Sequence, residues 1–317
     1  MTDFAIARAC AVLGARAERE VPIGPLTTYR VGGAAAVFVR PDDLDDLMAI
    51  HDAAQASGLP VLVIGRGSNL LVADEGYRGI AFTLGSIGAD LALDATTRQV
   101  VAGSAVTLPV LARRAVAAGM AGLEWAVGVP GSVGGGVRMN AGGHGSDIAA
   151  SLVEVDLFDV HRGTRVVLPA AALGLRFRGS DLADHQVVLS ATLATTVADQ
   201  ERSQAELDEI VRWRREHQPG GQNAGSVFVN PVPGEVAAGA LIDGLGLRGL
   251  RIGSAQVSDK HANFIQADES GRAGDVVSVI AAVRARVAEA TGYVLRSEVR
   301  LVGFADVEVD HNPGVSW

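Results

Sequence analysis

One stretch of unusual glycine density, residues 128–145 (GVPGSVGGGVRMNAGGHG), constrains the fold of this chain more than any other feature. Eight of its eighteen positions are glycine. Glycine lets the main chain adopt positive φ and brings backbone amides within hydrogen-bonding distance of a ligand, as a bound diphosphate requires. The stretch predicts a loop that holds a large planar or phosphorylated ligand. A series of tight turns is the alternative interpretation.

A second glycine-containing turn, residues 65–71 (GRGSNLL), directly follows a predicted buried strand at 61–64. A strand that runs into a glycine turn is a common phosphate-binding arrangement. The Rossmann fingerprint is excluded, because Leu70 occupies the place of its third glycine. The motif also lacks the lysine of a Walker A loop.

Composition narrows the class of protein. The 317 residues, 48% of them hydrophobic, are enough for two or three domains with buried cores. A net charge of −9 argues against general attraction to nucleic acid or anionic membrane. The single cysteine, Cys10, allows no intrachain disulfide, and the seven histidines are scattered, so we expect no metal site and a reducing, cytoplasmic location. No signal peptide or membrane-spanning segment is expected.

The order of predicted elements indicates a mixed α+β protein with no internal repeat. Helices are predicted at the N-terminus and at residues 42–57, 108–118, 199–217, 235–245 and 274–291. Strands are predicted at residues 35–40, 61–64, 80–84, 99–103, 152–160, 165–168, 186–195 and 298–302. The charge-rich helix at 199–217 predicts a domain boundary near residue 200.

Seven segments in consistent order resemble the UDP-N-acetylenolpyruvoylglucosamine reductase (MurB) family. They are residues 28–33 (TYRVGG), 65–71, 128–145, 176–180 (RFRGS), 224–231 (AGSVFVNP), 255–265 (AQVSDKHANFI) and 297–300 (SEVR). The resemblance covers roughly residues 23–303. It implies an NADPH-dependent FAD enzyme of peptidoglycan precursor synthesis, which reduces the enolpyruvyl ether of a UDP-sugar. The shorter, second type of the family is the better match.

The resemblance also implies a fold and a domain division. We expect an N-terminal helix at residues 1–22 and an FAD-binding domain of the PCMH/VAO-like, two-part type at 23–198, with lobes at about 23–75 and 76–198. A substrate-binding α+β domain is expected at 199–304 and a loose polar tail at 305–317. The expected partners are the UDP-sugar enolpyruvyl ether and NADPH, with no nucleic acid and no membrane.

Motif positions assign roles to individual residues. Arg178 is expected to stabilise the negative charge that develops on the substrate, and Ser226 to deliver a proton. Glu298 is expected to polarise the substrate carboxylate, with a pKa raised by burial. The residues expected to bind FAD are Gly65, Gly67, Ser68, Asn69, Leu70, Gly128, Pro130, Gly131, Ser132, Gly134, Gly135 and Asn140. Those expected to bind the substrate are Asn230, His217, Lys260 and His261.

The sequence departs from the family pattern in three places. Val229 stands where the family frequently has lysine, Ser297 follows Leu295-Arg296 where it often has Leu-Glu-Pro, and Phe177 replaces a tyrosine before Arg178. Two alternatives remain open. One is an FAD-dependent oxidase or dehydrogenase of the same fold, and the other is a flavin-binding relative that has lost turnover.

Overall fold

The computed structural model describes residues 2–304, and the first of its units is a helix-covered sheet. The elements of this lobe are α1 (Thr2–Leu13), β1 (Glu18–Pro22), β2 (Ala34–Val39), α2 (Leu44–Ser57), β3 (Val61–Val63), β4 (Leu70–Val72) and β5 (Tyr77–Phe82). The sheet has the order β1-β2-β5-β3, with β1 antiparallel to β2 and the other pairs parallel. Helix α2 ends at Ser57 as predicted and begins at Leu44, two residues after the predicted start. Asp43 accepts a hydrogen bond from the Asp46 amide, and Gly58 ends the helix at φ +70°.

The second lobe is built on an antiparallel sheet. Its elements are β6 (Leu91–Asp94), β7 (Gln99–Gly103), α3 (Leu108–Ala117), β8 (Met120–Ala121), α4 (Val133–Met139), β9 (Gly142–Gly143), β10 (Ser146–Asp147), β11 (Leu152–Asp159), β12 (Thr164–Pro169), β13 (Gln186–Ala194) and β14 (Thr196–Val197). The main sheet has the order β12-β11-β13-β7-β6. Helices α3 and α4 bury Leu108, Leu111 and Val137 in its core.

The glycine-dense stretch is not the continuous loop that its composition predicts, because residues 133–139 form α4. Close packing explains the glycines inside this helix. A Cβ on Gly134 would lie 2.7 Å from the Cβ of Ser104, and one on Gly136 would lie 3.4 Å from Leu108. The two positions therefore favour glycine because α4 lies directly on its neighbours, which outweighs the low helix propensity of glycine.

The C-terminal unit combines a small sheet with one long helix. Its elements are α5 (Gln200–His217), α6 (Ala238–Gly244), β15 (Arg251–Ile252), β16 (Ala255–Val257), β17 (Ile265–Ala267), α7 (Ala273–Thr291) and β18 (Arg300–Val302). Helix α7 packs Val276, Val279 and Ile280 against the antiparallel sheet β15-β16-β17. Helix α5 instead buries Leu207 and Ile210 in the core of the second lobe.

The final strand leaves its own unit and pairs with the first lobe. Strand β18 lies parallel to β4, with Arg300 opposite Leu70 and Val302 opposite Val72. The side-chain amide of Asn69 donates to the Glu298 carbonyl (2.8 Å), and the Arg300 amide donates to the Asn69 carbonyl (2.9 Å). The chain around Glu298 is therefore fixed against the glycine turn at residues 65–69.

Several short elements differ from the sequence prediction. Strands β1 and β6 were not predicted, the turn at 65–71 gives way to strand β4 at Leu70, and helix α6 is shorter than the predicted 235–245. Strands of three to five residues carry too little periodicity to be recognised in a sequence. The predicted tail at 305–317 lies outside the described residues. Within residues 2–304, every helix is too short or too polar to cross a bilayer.

Asp74 supplies the cap that helix α7 lacks within its own segment. Its two carboxylate oxygens accept from the amides of Ala273 (2.9 Å) and Gly274 (3.1 Å), and Arg272 pairs with it at 3.5 Å. We expect Asp74→Ala to lower the free energy of unfolding by about 1 kcal/mol, because two helix amides lose their acceptor. Glu75→Ala, at the exposed neighbouring position, is the matched control. Equal losses for the two variants in chemical denaturation would contradict the capping role.

Candidate active site

A cavity of about 1170 Å³ lies where the two lobes and the C-terminal unit meet. Four segments that are distant in sequence form much of its wall: residues 65–70, 128–136, 218–226 and 298–304. Arg178, Ser226 and Glu298, the three residues predicted to be catalytic, all line it. The fold thus places every residue to which the sequence assigns a chemical step beside the glycine segments.

Ser226 is held by main-chain hydrogen bonds on both sides. The residue forms an isolated antiparallel bridge with Phe264, and the next amide, that of Val227, donates to the Asn263 carbonyl at 2.8 Å. The Glu298 amide in turn donates to the Val227 carbonyl at 2.7 Å. Within the described part of the chain, no hydrogen bond occupies the Ser226 hydroxyl. This hydroxyl is fixed in position and remains free to meet a ligand.

Arg178 reaches the cavity from a tight turn. The amide and carbonyl of Arg176 bond reciprocally with those of Gly179 (3.0 and 3.1 Å), and Arg178 adopts φ +58° between them. Its guanidinium carbon lies 4.9 Å from the centre of the Phe177 ring, which is 58% exposed. Its Nε lies 3.3 Å from Oε2 of Glu298. The turn and the ring together aim one cation at one carboxyl group.

The carboxyl group of Glu298 is largely removed from water, with a side chain 16% exposed. Burial raises its pKa above the usual range of glutamate, and the charge and hydrogen bond of Arg178 oppose that rise only in part. Loss of hydration disfavours the charged form of a carboxyl group, whereas a nearby cation favours it. Glu298 therefore takes up a proton more readily than an ordinary glutamate.

The cavity can accommodate a flavin dinucleotide along its glycine segments. Ten of the twelve predicted FAD-binding residues line it: Gly65, Gly67, Ser68, Asn69, Leu70, Gly128, Pro130, Gly131, Ser132 and Gly135. A Cβ on Gly131 or Gly135 would make only ordinary contacts, at 3.5 Å or more. Packing within the protein therefore does not require glycine at these two positions. Because glycine has no side chain, the main chain itself faces the cavity there.

The cavity wall also contains a polar atom, to which the sequence assigned no role, that could bond a ligand. The buried hydroxyl of Thr28 lines the cavity and has no hydrogen-bond partner among the described residues. A buried hydroxyl without a partner is costly, so a bound ligand with a polar edge would satisfy it. Thr28 lies in the 28–33 motif that supports the family resemblance, but the motif alone did not identify this threonine as a binding residue.

Gly134 and Asn140 lie outside the cavity wall, although both were predicted to bind FAD. Gly134 faces Ser104, and Asn140 ends α4 at φ +39°. The side chain of Asn140 donates to Asp147 (3.0 Å) and to the Arg176 carbonyl (3.1 Å). Asn140 therefore supports the turn that carries Arg178, and its amide group is already used within the protein.

The four predicted substrate-binding residues also lie outside the wall. The side chain of Asn230 accepts from the Ala238 amide (3.1 Å), and Nδ1 of His261 accepts from the Asn263 amide (3.2 Å). The Lys260 ammonium donates to a main-chain carbonyl of α5, and the ring of His217 stacks on Trp213 at 4.8 Å. The structure does not bring these residues together with Ser226, Arg178 and Glu298 at the cavity.

The cavity is lined instead by several arginines to which the sequence assigned no role. Asp184 accepts from Arg138 (3.3 Å) and Arg300 (2.7 Å), and Arg214 donates to the Gly128 carbonyl and to Gln218. Burial, reinforced by the charge of Arg300, lowers the pKa of Arg138 to about 10. Burial also lowers the pKa of Arg214. Arg138 and Arg300 lie inside motifs that support the family resemblance. Their place in those motifs was the sequence feature that could have identified them as site residues.

Comparison with known proteins agrees with this arrangement. Residues 35–169 match the family model "FAD binding domain", and residues 217–302 match "UDP-N-acetylenolpyruvoylglucosamine reductase, C-terminal domain". A UDP-N-acetylenolpyruvoylglucosamine reductase of Heliobacterium modesticaldum is 40% identical over 294 residues, which is 92% of each chain. One from a Synechococcus species is 41% identical over 90% of this chain and 93% of its own. The crystal structure of the Thermus caldophilus reductase (MurB) matches with a TM-score of 0.78 and 33% identity, covering 90% of this chain and 99% of that one.

These matches confirm an FAD-binding domain followed by the C-terminal domain of the reductase family, within the expected α+β fold. They also confirm an oxidoreductase, and they give no support to the alternative of an alcohol or amine oxidase. The family uses FAD and NADPH. The chain belongs to the UDP-N-acetylenolpyruvoylglucosamine reductase family, whose members act in peptidoglycan precursor synthesis.

Proposed function

We propose that this chain reduces the enolpyruvyl ether of UDP-N-acetylglucosamine enolpyruvate to the lactyl ether of UDP-N-acetylmuramate, with NADPH as the reductant. The observation that carries this proposal is the meeting of Ser226, Arg178 and Glu298 in one cavity with the bare glycines Gly131 and Gly135. Bound FAD, reduced by NADPH, supplies a hydride to the terminal carbon of the substrate double bond. The protein must then manage charge and supply a proton.

Arg178 stabilises the negative charge that develops on the substrate. The double bond is conjugated with a carboxylate, so electron density moves toward that carboxylate as the terminal carbon gains its hydride. A fixed cation in a site shielded from water stabilises such a charge strongly, because it needs no reorganisation during the reaction. The side chain of Arg178 is 29% exposed, and it is held by its turn and by Phe177.

Glu298 acts beside Arg178 as a hydrogen-bond donor. An ionised carboxylate would repel the dianionic species that forms on the substrate, whereas a protonated carboxyl group can donate to it. The raised pKa of Glu298 favours the protonated form. The 3.3 Å separation of Arg178 and Glu298 allows both groups to reach the same substrate carboxylate.

Ser226 is the proton donor in this proposal. The carbon next to the carboxylate must gain a proton, and a hydroxyl within hydrogen-bond reach can deliver it. A serine hydroxyl is a weak acid, but the acceptor carbon has carbanion character and is strongly basic. The free hydroxyl of Ser226, on a segment bonded to Asn263 on one side and to Glu298 on the other, has the required chemistry.

Phosphate groups of the substrate or of NADPH need a cation that Val229 cannot provide. Arg214 is the best candidate, because its side chain lines the cavity and is fixed by Gly128 and Gln218. Lys260 and His217 remain predictions at the nearby end of α5, where Lys260 contacts the Arg215 carbonyl. Asn230 and His261 also remain predictions, although hydrogen bonds within the protein already use their side chains.

Ser226→Ala separates the two halves of the reaction. We expect NADPH to bleach the flavin of this variant anaerobically at the wild-type rate, because Ser226 takes no part in that half. Recovery of colour on adding the UDP-sugar enol ether should slow by roughly 10²- to 10⁴-fold, as for loss of a general acid. Stopped-flow absorbance measures both halves, with Ser278→Ala on the exposed face of α7 as the control.

Equal slowing of both halves in Ser226→Ala would mean that this serine has only a structural role. Wild-type protein that is bleached by NADPH but does not recover with the enol ether would refute the proposed reaction. Such behaviour would favour the flavin-binding relative without turnover.

Glu298→Gln tests the raised pKa through stability. A buried carboxyl group with a raised pKa destabilises the fold where it is ionised, at high pH, and this cost disappears below the pKa of the unfolded chain. We therefore expect the melting temperature of Glu298→Gln to exceed that of the wild type at alkaline pH, with the difference shrinking as the pH falls toward 4.5, the ordinary value. Glu154→Gln, at an exposed position of β11, should show no such trend. A constant difference across pH would contradict the shift.

Gly135→Ala tests the bare main chain at the cavity. Its methyl group would meet only ordinary protein contacts, and alanine favours a helix, so we expect no loss of melting temperature without flavin. The methyl group would enter space that FAD needs, and the dissociation constant for FAD should rise about tenfold or more. Gly134→Ala is the contrasting variant and should lower stability through contact with Ser104. Unchanged FAD affinity in Gly135→Ala would place the cofactor elsewhere.

A further inference from the structure

A carboxylate that the proposed chemistry does not use joins two separate segments of the cavity wall. Asp184, between strands β12 and β13, accepts hydrogen bonds from Arg138 (3.3 Å) and Arg300 (2.7 Å), both at Oδ1. The side chains of the two arginines are only 17% and 13% exposed. Arg138 belongs to α4 of the second lobe, whereas Arg300 belongs to strand β18. The three side chains therefore form a bridge, largely shielded from water, between the second lobe and the last strand.

On the side of the second lobe, the bridge continues to Arg178. The hydroxyl of Ser180, two residues after Arg178, donates to the Arg138 carbonyl at 2.7 Å. The guanidinium of Arg138 donates to the carbonyl of Ala183, the residue before Asp184, also at 2.7 Å. The segment from Arg178 to Asp184 is thus bonded near both of its ends to one residue of α4. A shift of Asp184 would be transmitted along this segment to Arg178.

On the side of the last strand, the bridge leads to Glu298. Arg300 follows Glu298 by two residues, so their Cα atoms are at most about 7 Å apart. The Arg300 amide donates to the Asn69 carbonyl (2.9 Å), and the Asn69 side chain donates to the Glu298 carbonyl (2.8 Å). Arg178 and Glu298 are therefore connected in two ways. One is their direct contact at 3.3 Å, and the other is the bridge through Asp184.

The direct contact alone cannot keep Arg178 and Glu298 aligned during the reaction. Both groups must turn toward the substrate carboxylate, and a protonated Glu298 attracts a guanidinium only weakly. The bridge uses no reacting group, and charge-assisted hydrogen bonds from arginine to a carboxylate are strong. We propose that Asp184 is a positioning residue, which acts through Arg138 and Arg300 to hold Arg178 and Glu298 on the same substrate carboxylate. This proposal rests on the proposed function, which assigns Arg178 and Glu298 to that carboxylate.

Asp184→Asn tests the proposal, because it removes the charge of the bridge and keeps the shape of the side chain. Stopped-flow absorbance of the full-length protein, saturated with FAD, measures both halves of the reaction. We expect NADPH to bleach the flavin at close to the wild-type rate, because Arg178 and Glu298 act only afterwards. Recovery of colour with the UDP-sugar enol ether should slow roughly 10- to 100-fold, as for reacting groups misplaced by about 1 Å. Asp184→Glu restores the charge and should recover most of this rate.

Asp268→Asn is the matched control, because it breaks an aspartate–arginine pair, with Arg251, inside the C-terminal unit and outside the cavity wall. It should leave both halves of the reaction unchanged.

A double-mutant cycle separates positioning from general damage to the fold. Glu298→Ala removes one of the two groups that the bridge aligns. Adding Asp184→Asn to Glu298→Ala should therefore slow the recovery of colour by a smaller factor than Asp184→Asn does in the wild type. Equal factors in the two backgrounds, slower bleaching in Asp184→Asn, or unchanged recovery in that variant would each overturn the proposal. Wild-type protein that does not recover with the enol ether would instead refute the proposed function, and this proposal with it.

Discussion

The parallel pairing of β18 with β4 is the interaction on which the rest of the structure depends. It joins Arg300 to Leu70 and Val302 to Val72 across 230 residues of chain, so closing the loop costs considerable entropy. Burial of Leu71 and Val302 offsets part of that cost, and the Asp74 cap on α7 adds a second connection between the same units. Without this pairing, Glu298 would have no fixed position relative to the glycine turn.

Arginines gathered at the cavity allow a protein of net negative charge to hold anionic ligands. The net charge is −9, yet Arg138, Arg178, Arg214 and Arg300 all line the cavity. Local groups rather than the overall field decide which ligand is held, because salt screens charges beyond about 10 Å. Arg138 also donates to the carbonyls of Leu182, Ala183 and Gln186, so it fixes the segment that carries Asp184 and His185.

Local signals in the sequence predicted much of this structure. The predicted helix at residues 42–57 agrees with α2 to within two residues, because the capping residues Asp43 and Gly58 act over only a few positions. The motifs also predicted that Arg178, Ser226 and Glu298 belong to one site. The partner of β18 could not be predicted, since parallel pairing over 230 residues leaves no local pattern. Asn230 and Asn140 illustrate a second limit, because an amide that bonds within the protein and one that binds a ligand look alike in a sequence.

Each unit of the fold contributes one of the three residues proposed to react. Arg178 comes from a turn of the second lobe, Ser226 from the C-terminal unit, and Glu298 from the segment leading into the strand added to the first lobe. The positive φ of Arg178 costs about 1 kcal/mol or more, and the hydrogen bond from Asn140 to Arg176 helps to maintain it. Because the glycine segments belong to the same two lobes, cofactor binding and assembly of the reacting groups depend on the same packing. Any opening between the units would separate Ser226 from Arg178 and would also widen the cavity proposed to hold the flavin.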